Sequence, residues 1–228
     1  MGGHNENCSE KNFERGTIMS KLFYIQASPR GKRSRSISVG DAFVETYKRR
    51  HPEDEIETLN VFSDSIAEFD GAAVEAKYAI LEGKEFSEEQ LKAWKKIEKV
   101  IEQFTSADKY LVAAAMWNFS IPYRLKQYID VLVQPGYTFS YSEEKGYQGL
   151  VAGRPMVVVY ARGGEYARGS EAEMFDLQRS YIELIFGFIG IKNMRAVVVE
   201  PTLQDGPEVA AAKCEEAIDN AREMASSF

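Results

Sequence analysis

Residues 109–130 read Lys109-Tyr-Leu-Val-Ala-Ala-Ala-Met-Trp-Asn-Phe-Ser-Ile-Pro-Tyr-Arg-Leu-Lys-Gln-Tyr-Ile-Asp130, and this stretch decides the architecture. Lys109–Ala115 is a short apolar run of the kind expected for a strand covered on both faces. Further on, Leu125, Tyr128, Ile129 and Leu132 recur at helical spacing, with Ser120 placed to cap the helix and Pro122 tolerated in its first turn. Between strand and helix stand Met116, Trp117, Asn118 and Phe119, an apolar and aromatic loop with a single amide. Open α/β sheets bind ligands at the carboxyl ends of their strands. This composition therefore suits a flat, partly apolar ligand with hydrogen-bonding edges. It suits equally a hydrophobic loop buried by a neighbouring segment or subunit.

Working outward, the same strand–loop–helix grammar repeats. Lys21–Ala27 is rich in β-formers and runs into Ser28-Pro-Arg-Gly-Lys-Arg-Ser-Arg-Ser36, after which Gly40, Phe43, Val44 and Tyr47 share one side of a helix. The first N–H groups of a helix are free and its dipole end is positive, so such a loop has the geometry of a phosphate site. Ser28, Ser34 and Ser36 add hydroxyl donors, and Arg35 and its neighbours add charge. Ser34 or Ser36 fits an ordinary N-cap as well, with the basic residues as a solvated loop. The loop matches neither GxGxxG nor GxxxxGK[ST], which disfavours a Rossmann or P-loop nucleotide site.

Glu55–Asn60 alternates like a strand, and residues 62–86 predict a lid or an irregular helix. Ser87-Glu-Glu-Gln90 is a capping box opening a helix with Leu91, Trp94, Ile97, Ile101 and Phe104 on its apolar face. Tyr137–Tyr141 and Tyr147–Val151 predict a β-hairpin turning at Gly146. Pro155–Tyr160 is another buried strand, and its continuation Ala161-Arg-Gly-Gly-Glu-Tyr166 brings a second glycine loop to the same end. Consecutive glycines admit a ligand close to the backbone, and they are ordinary turn residues too. Ser170-Glu-Ala-Glu173 predicts a capped helix running through Phe188, Met194–Glu200 a last strand, and an alanine-rich helix follows from about Pro207.

Five strands alternating with helices imply a doubly wound α/β domain, a five-stranded parallel sheet with helices on both faces. The unusual loops follow the first, third and fourth strands, and they converge if the strand order is 2-1-3-4-5, the flavodoxin-like arrangement. Converging phosphate, aromatic and glycine loops point to FMN. The domain is expected over residues 19–228, with a disordered polar tail at 1–18.

The chain has 228 residues, 44% of them hydrophobic, enough for one substantial core. A net charge of −7 disfavours nucleic acid as a partner. No apolar run approaches the roughly 20 residues that cross a bilayer. The start lacks the marks of a signal peptide, so a cytoplasmic protein is expected. Cys8 and Cys214 form no CxxC and no metal-type spacing and read as free thiols.

Taken together, Met116–Asp130, Pro135–Tyr141, Gly149-Leu150, Arg162-Gly-Gly164 and Gly187-Phe-Ile-Gly-Ile191 resemble the FMN-dependent NADH:quinone oxidoreductases, also called FMN-dependent NADH-azoreductases. The resemblance runs in order from about Met19 to the C-terminus. It implies non-covalent FMN, reduced by NADH or NADPH and reoxidised by quinones or aromatic azo compounds in a two-electron, ping-pong reaction. It implies that Ser28, Ser34, Arg35 and Ser36 hold the phosphate. Met116, Trp117, Asn118 and Phe119 would lie along the isoalloxazine, and Ala161, Arg162, Gly163 and Gly164 at its pyrimidine end. A homodimer with shared sites is implied as well, Tyr141 and Phe188 being offered over the partner's flavin and Tyr166 facing the substrate. The chain departs from the family at Ala115, commonly proline, at Ala161, often serine, and at Tyr166, often histidine. These departures bear on acceptor preference. No side chain is assigned as acid, base or nucleophile. The alternatives are a flavodoxin-type electron carrier without a small-molecule substrate, and a phosphoacceptor receiver, whose aspartate cluster the Gln26-Ala27-Ser28 region lacks.

Overall fold

The computed structural model describes residues 19–228, so the expected disorder of residues 1–18 and the reading of Cys8 lie outside the described residues. Strands β1 (Lys21–Ala27), β2 (Glu55–Asn60), β3 (Lys109–Ala115), β6 (Met156–Ala161) and β7 (Met194–Val199) form one parallel sheet in the order β2-β1-β3-β6-β7. By rank in the sheet that order is 2-1-3-4-5, as the loop convergence required. β4 (Phe139–Ser142) and β5 (Gly146–Gly149) pair antiparallel as a separate hairpin.

The near-continuous apolar runs of β3 and β6 are explained by what covers them. On one face lie α3 (Glu88–Thr105), α4 (Tyr123–Leu132) and α5 (Leu177–Phe188), which pack Trp94, Ile101, Leu125, Ile129 and Phe186 against Phe23, Ile25, Val112 and Val158. On the other lie α1 (Arg35–Arg50) and α6 (Gly206–Ser226), with Val39, Phe43, Tyr47, Ala217 and Ala221 against Leu22, Leu111 and Val159. Each large apolar side chain taken fully out of water contributes roughly 1.5–3 kcal/mol. The small residues of α6 let it sit close to the sheet. Cys214 is a buried free thiol on that face.

Three helix starts differ in informative ways. Ser87 and Gln90 close the expected capping box reciprocally, at 2.9 and 3.2 Å. Ser120 is not the cap of α4: the helix starts at Tyr123 behind Pro122, and the Ser120 backbone pairs with Trp117 instead. Ser170 opens only the 3-10 turn Glu171–Phe175, whereas α5 starts at Leu177 and is capped by Asp176, whose carboxylate accepts the Arg179 N–H at 2.9 Å. Both sequence expectations named a hydroxyl, and in both cases the tertiary ties of the loop outweigh local capping. Within residues 62–86 the structure has a regular helix, α2 (Gly71–Glu82), capped by Asp70 and stopped by Gly83 in the left-handed region.

The hairpin docks on the end of α5. A Cβ on Gly149 would collide with the Ile189 and Gly190 backbone, so two main chains approach there as only glycine permits. Phe139, Tyr147 and Phe188 close the contact, with ring centroids 4.9 and 5.6 Å from Phe188.

Candidate functional site

The carboxyl ends of β1, β3, β6 and β7 all open on one edge of the sheet, and a cavity of about 230 Å³ lies there. Its floor is polar. Ser28 directly follows β1, and Ser34 and Ser36 straddle the start of α1; all three are 2% exposed or less. The Ser34 and Ser36 hydroxyls share a hydrogen bond of 3.1 Å, and Ser34 also caps α1 by accepting the Ile37 N–H at 3.4 Å. Ser34 is therefore both the ordinary cap and a lining residue. Arg30 and Arg35 line the same cavity, and among the described residues no carboxylate does. Buried hydroxyls, two guanidinium-bearing residues and a helix N-terminus form a donor set matched to a phosphate group.

The wall is the loop after β3. Met116 N–H donates to the Ala161 carbonyl at 2.8 Å, so pairing between the strands continues to the rim. Trp117 and Ser120 exchange two backbone hydrogen bonds of 2.9 Å, forcing a tight turn in which Asn118 has φ +47° and Phe119 φ +68°. Asparagine tolerates the left-handed region, but a bulky aromatic there carries strain of about 1–3 kcal/mol. The turn leaves the Asn118 side chain without a hydrogen-bond partner among the described residues, facing a second cavity of about 860 Å³. Trp117 borders both cavities. Phe62 packs on Trp117 with centroids 5.5 Å apart.

The other wall is the loop after β6. Ala161 and Gly163 line the smaller cavity, while the Gly163 carbonyl accepts N–H groups of Leu203 and Gln204 at 3.0 and 3.1 Å. Gly164 stands beside Tyr166: a Cβ there would come 3.7 Å from the phenol oxygen. Arg162 goes elsewhere. Its side chain is 2% exposed and turned into the protein, 2.6 Å from Asp176 Oδ2 and 3.2 Å from Glu200 Oε2. The Asp176 contact is an ion pair outside hydrogen-bond geometry, since Nη2 has no properly angled acceptor. Arg162 Nε donates to Gln178 Oε1 at 3.2 Å, and Gln178 in turn donates to the Ala114 carbonyl at 3.2 Å.

The structure thus brings Ser28, Ser34, Arg35, Ser36, Met116, Trp117, Ala161 and Gly163 around one cavity and puts Asn118 on the adjoining one. Phe119 and Tyr166 line neither cavity; their ring centroids lie 6.4 Å apart. Tyr141 and Phe188 line neither cavity and sit in the hairpin cluster, where Tyr141 is 63% exposed. Sequence reading passed over Thr202 and Leu203, which complete the smaller cavity from the loop after β7. The only available signal was their place behind a strand end, because neither residue type marks a binding loop. Tyr160 lies beneath the glycine loop, and burial pushes its phenol well above the ordinary tyrosine range.

Among the described residues no helix is long and apolar enough to cross a membrane. A family model described as flavodoxin-like fold matches residues 20–225. An FMN-dependent NADH:quinone oxidoreductase of Nitratidesulfovibrio vulgaris is 50% identical over 210 residues, covering 92% of this chain and 100% of the relative. The crystal structure of an azoreductase from Bacillus anthracis superposes with a TM-score of 0.84 at 30% identity, over 92% of this chain and 100% of that one. A second structure from that species, an FMN-dependent NADH-azoreductase in complex with FMN, gives 0.80 at 30% identity, over 91% and 100%. With strand order, cavity and near-full-length similarity in agreement, the chain belongs to the flavodoxin-like family of FMN-dependent NADH:quinone oxidoreductases.

Proposed function

We propose that this chain binds FMN without a covalent bond and catalyses electron transfer from NADH, or NADPH, to quinones and aromatic azo compounds. The observation that carries the reading is one cavity with two chemistries: a buried hydroxyl-and-arginine floor for a phosphate, and aromatic and glycine walls for a flat ring. When bound, FMN supplies the acceptance and return of a hydride. The chain supplies the rest. Ser28, Ser34, Ser36 and Arg35 hold the phosphate; Trp117 and Met116 give the ring an apolar wall that excludes water; the Asn118 amide and the Gly163-Gly164 backbone meet its polar edge. Arg162 contributes to this site through its backbone and through the buried ion pairs that brace the loop.

The larger cavity beside Trp117 separates this reading from that of an electron carrier. A protein that only relays electrons has no use for about 860 Å³ of open space beside its aromatic wall, whereas donor and acceptor need room to enter in turn. The active unit is proposed to be a homodimer, with Tyr141 and Phe188 presented to the partner's site. The exposed aromatic surface of the hairpin supports this, since soluble monomers rarely leave such patches uncovered. A nicotinamide-dependent enzyme with a buried free thiol fits the cytoplasm, where cell fractionation is expected to find it.

The purified protein is expected to be yellow and to release FMN on denaturation. NADH should bleach the colour without oxygen, and a quinone should restore it. Release of FAD alone, or failure to take up any flavin on reconstitution, would remove the reading.

A further inference from the structure

Beside the phosphate cavity lies another, of about 470 Å³, with Arg30, Lys32, Arg33 and Arg35 on one side and Thr202, Leu203 and the start of α6 on the other. Arg30, Arg35, Thr202 and Leu203 border both cavities, so the two are contiguous. Lys32 and Arg33 border only this one. The backbone sets where these cations stand. Gly31–Arg33 form a short 3-10 turn, in which the Arg33 N–H donates to the Arg30 carbonyl at 3.1 Å and the Ser34 N–H to the Gly31 carbonyl at 2.9 Å. Helix α1 follows directly, so the basic loop is an ordered turn and not slack chain.

Among the described residues none of these four cations is ion-paired, and no carboxylate lines the cavity. Like charges held together repel, and an anion placed among them removes that cost. The phosphate of FMN accounts for only part of this charge. A phosphate monoester carries roughly 1.5–2 negative charges at neutral pH, which Arg30 and Arg35 offset from the floor they share with the serines. Lys32 and Arg33 are left over, facing open space next to that phosphate, with the Thr202 hydroxyl on the far wall.

We propose that this cavity is a second phosphoryl-binding subsite, in which Lys32 and Arg33 hold a phosphoryl group beside that of the flavin and Arg30 and Arg35 are shared between the two. The ligand arrives in one of two forms with the same chemistry: a free phosphate next to bound FMN, or the second phosphate of a flavin dinucleotide. This inference rests on the FMN reading above and gives a role to Lys32 and Arg33, which that reading leaves without one.

The test compares the wild type with the double variant Lys32→Gln, Arg33→Gln in two arms. In the first, inorganic phosphate is titrated calorimetrically into the FMN-loaded protein, with chloride holding the ionic strength constant. In the second, the apoprotein is titrated with FMN and with FAD by flavin fluorescence. FMN affinity should stay within about threefold of wild type, because neither residue lines its cavity and salt screens the rest. Affinity for free phosphate or for FAD should fall about tenfold, the worth of a charge-assisted contact. A fall in the first arm assigns the free anion, and a fall in the second assigns the dinucleotide. Arg33→Glu should deepen whichever loss is seen. Both side chains are exposed, so the variant should fold; where it does not, Lys32→Gln alone supplies the comparison. A wild type that binds neither ligand, unchanged affinity for both in the variant, or an equal fall for FMN overturns the inference. Chloride binding as tightly as phosphate, with FAD affinity unaltered, reduces the cavity to a site for an adventitious ion only and overturns it too. In all these outcomes a wild type that takes up FMN keeps its functional reading; one that takes up no flavin loses both.

Discussion

At the scale of single residues, Ser36 isolates the phosphate chemistry better than Ser34. Ser34 caps α1 as well as lining the cavity, and replacing a cap by alanine costs about 1 kcal/mol of stability on its own. Ser36 is fully buried and, among the described residues, its hydroxyl bonds only to Ser34, so it has little structural duty. A hydrogen bond to a charged phosphate contributes roughly 1.5–3 kcal/mol, which converts to about a tenfold to hundredfold change in affinity. Ser36→Ala is expected to weaken FMN binding within that range, measured by fluorescence titration, with the apoprotein melting temperature nearly unchanged; the double variant with Ser34→Ala should lose more of both. Full affinity in Ser36→Ala would reduce the residue to packing. The serines were legible in the sequence because a hydroxyl behind a strand and before a helix has few other uses. The bracing role of Arg162 was not: the resemblance put it only in the loop at the pyrimidine end of the ring, and its burial against Asp176 and Glu200 reveals a brace.

At the scale of elements, periodicity located the sheet strands and most helices, because a face buried against a sheet must repeat at 3.6 residues and a strand covered on both sides must be apolar throughout. Helix starts were less legible. Ser120 and Ser170 carry capping chemistry without capping, since the turn at Trp117–Ser120 and the pairing of Asp176 with Arg162 set where α4 and α5 begin. The hairpin was legible from its alternation, but not what it docks against. Its seat on α5 requires the absence of a side chain at Gly149, where a Cβ has only main chain to meet. Gly149→Ala should destabilise the protein by about 1–3 kcal/mol, lowering the melting temperature by roughly 2–4 °C per kcal/mol. Hydrogen exchange should rise first in β4 and β5 and leave β3 and β6 protected. Uniform loss of protection across the sheet would show that the hairpin does not open separately.

At the scale of the whole molecule, the hairpin and α5 carry an aromatic patch that the single chain leaves partly open, with Tyr141 and Tyr147 each 63% exposed. The proposed dimer buries this patch and presents Phe188 to a site other than its own. Sedimentation should therefore find a dimer. Mixing Asn118→Ala with Phe188→Ala chains should then partly restore activity, because one of the two sites in each heterodimer regains both native residues. Verified heterodimers without recovery, or a fully active monomer, would refute the shared site.

The sequence by itself determined the layer order, the strand order and the positions of the serine, aromatic and glycine loops. Those features follow from local rules: apolar period, crossover handedness and the placement of loops at strand ends. The tertiary structure alone decided which side chains of those loops line the cavity. It turned Arg162 inward, brought Thr202 and Leu203 into the cavity, and set Phe175 beside Phe119 and Tyr166. Each of these joins residues from different strand ends, and no local signal encodes them, because burial and ion pairing arise only when separate segments meet.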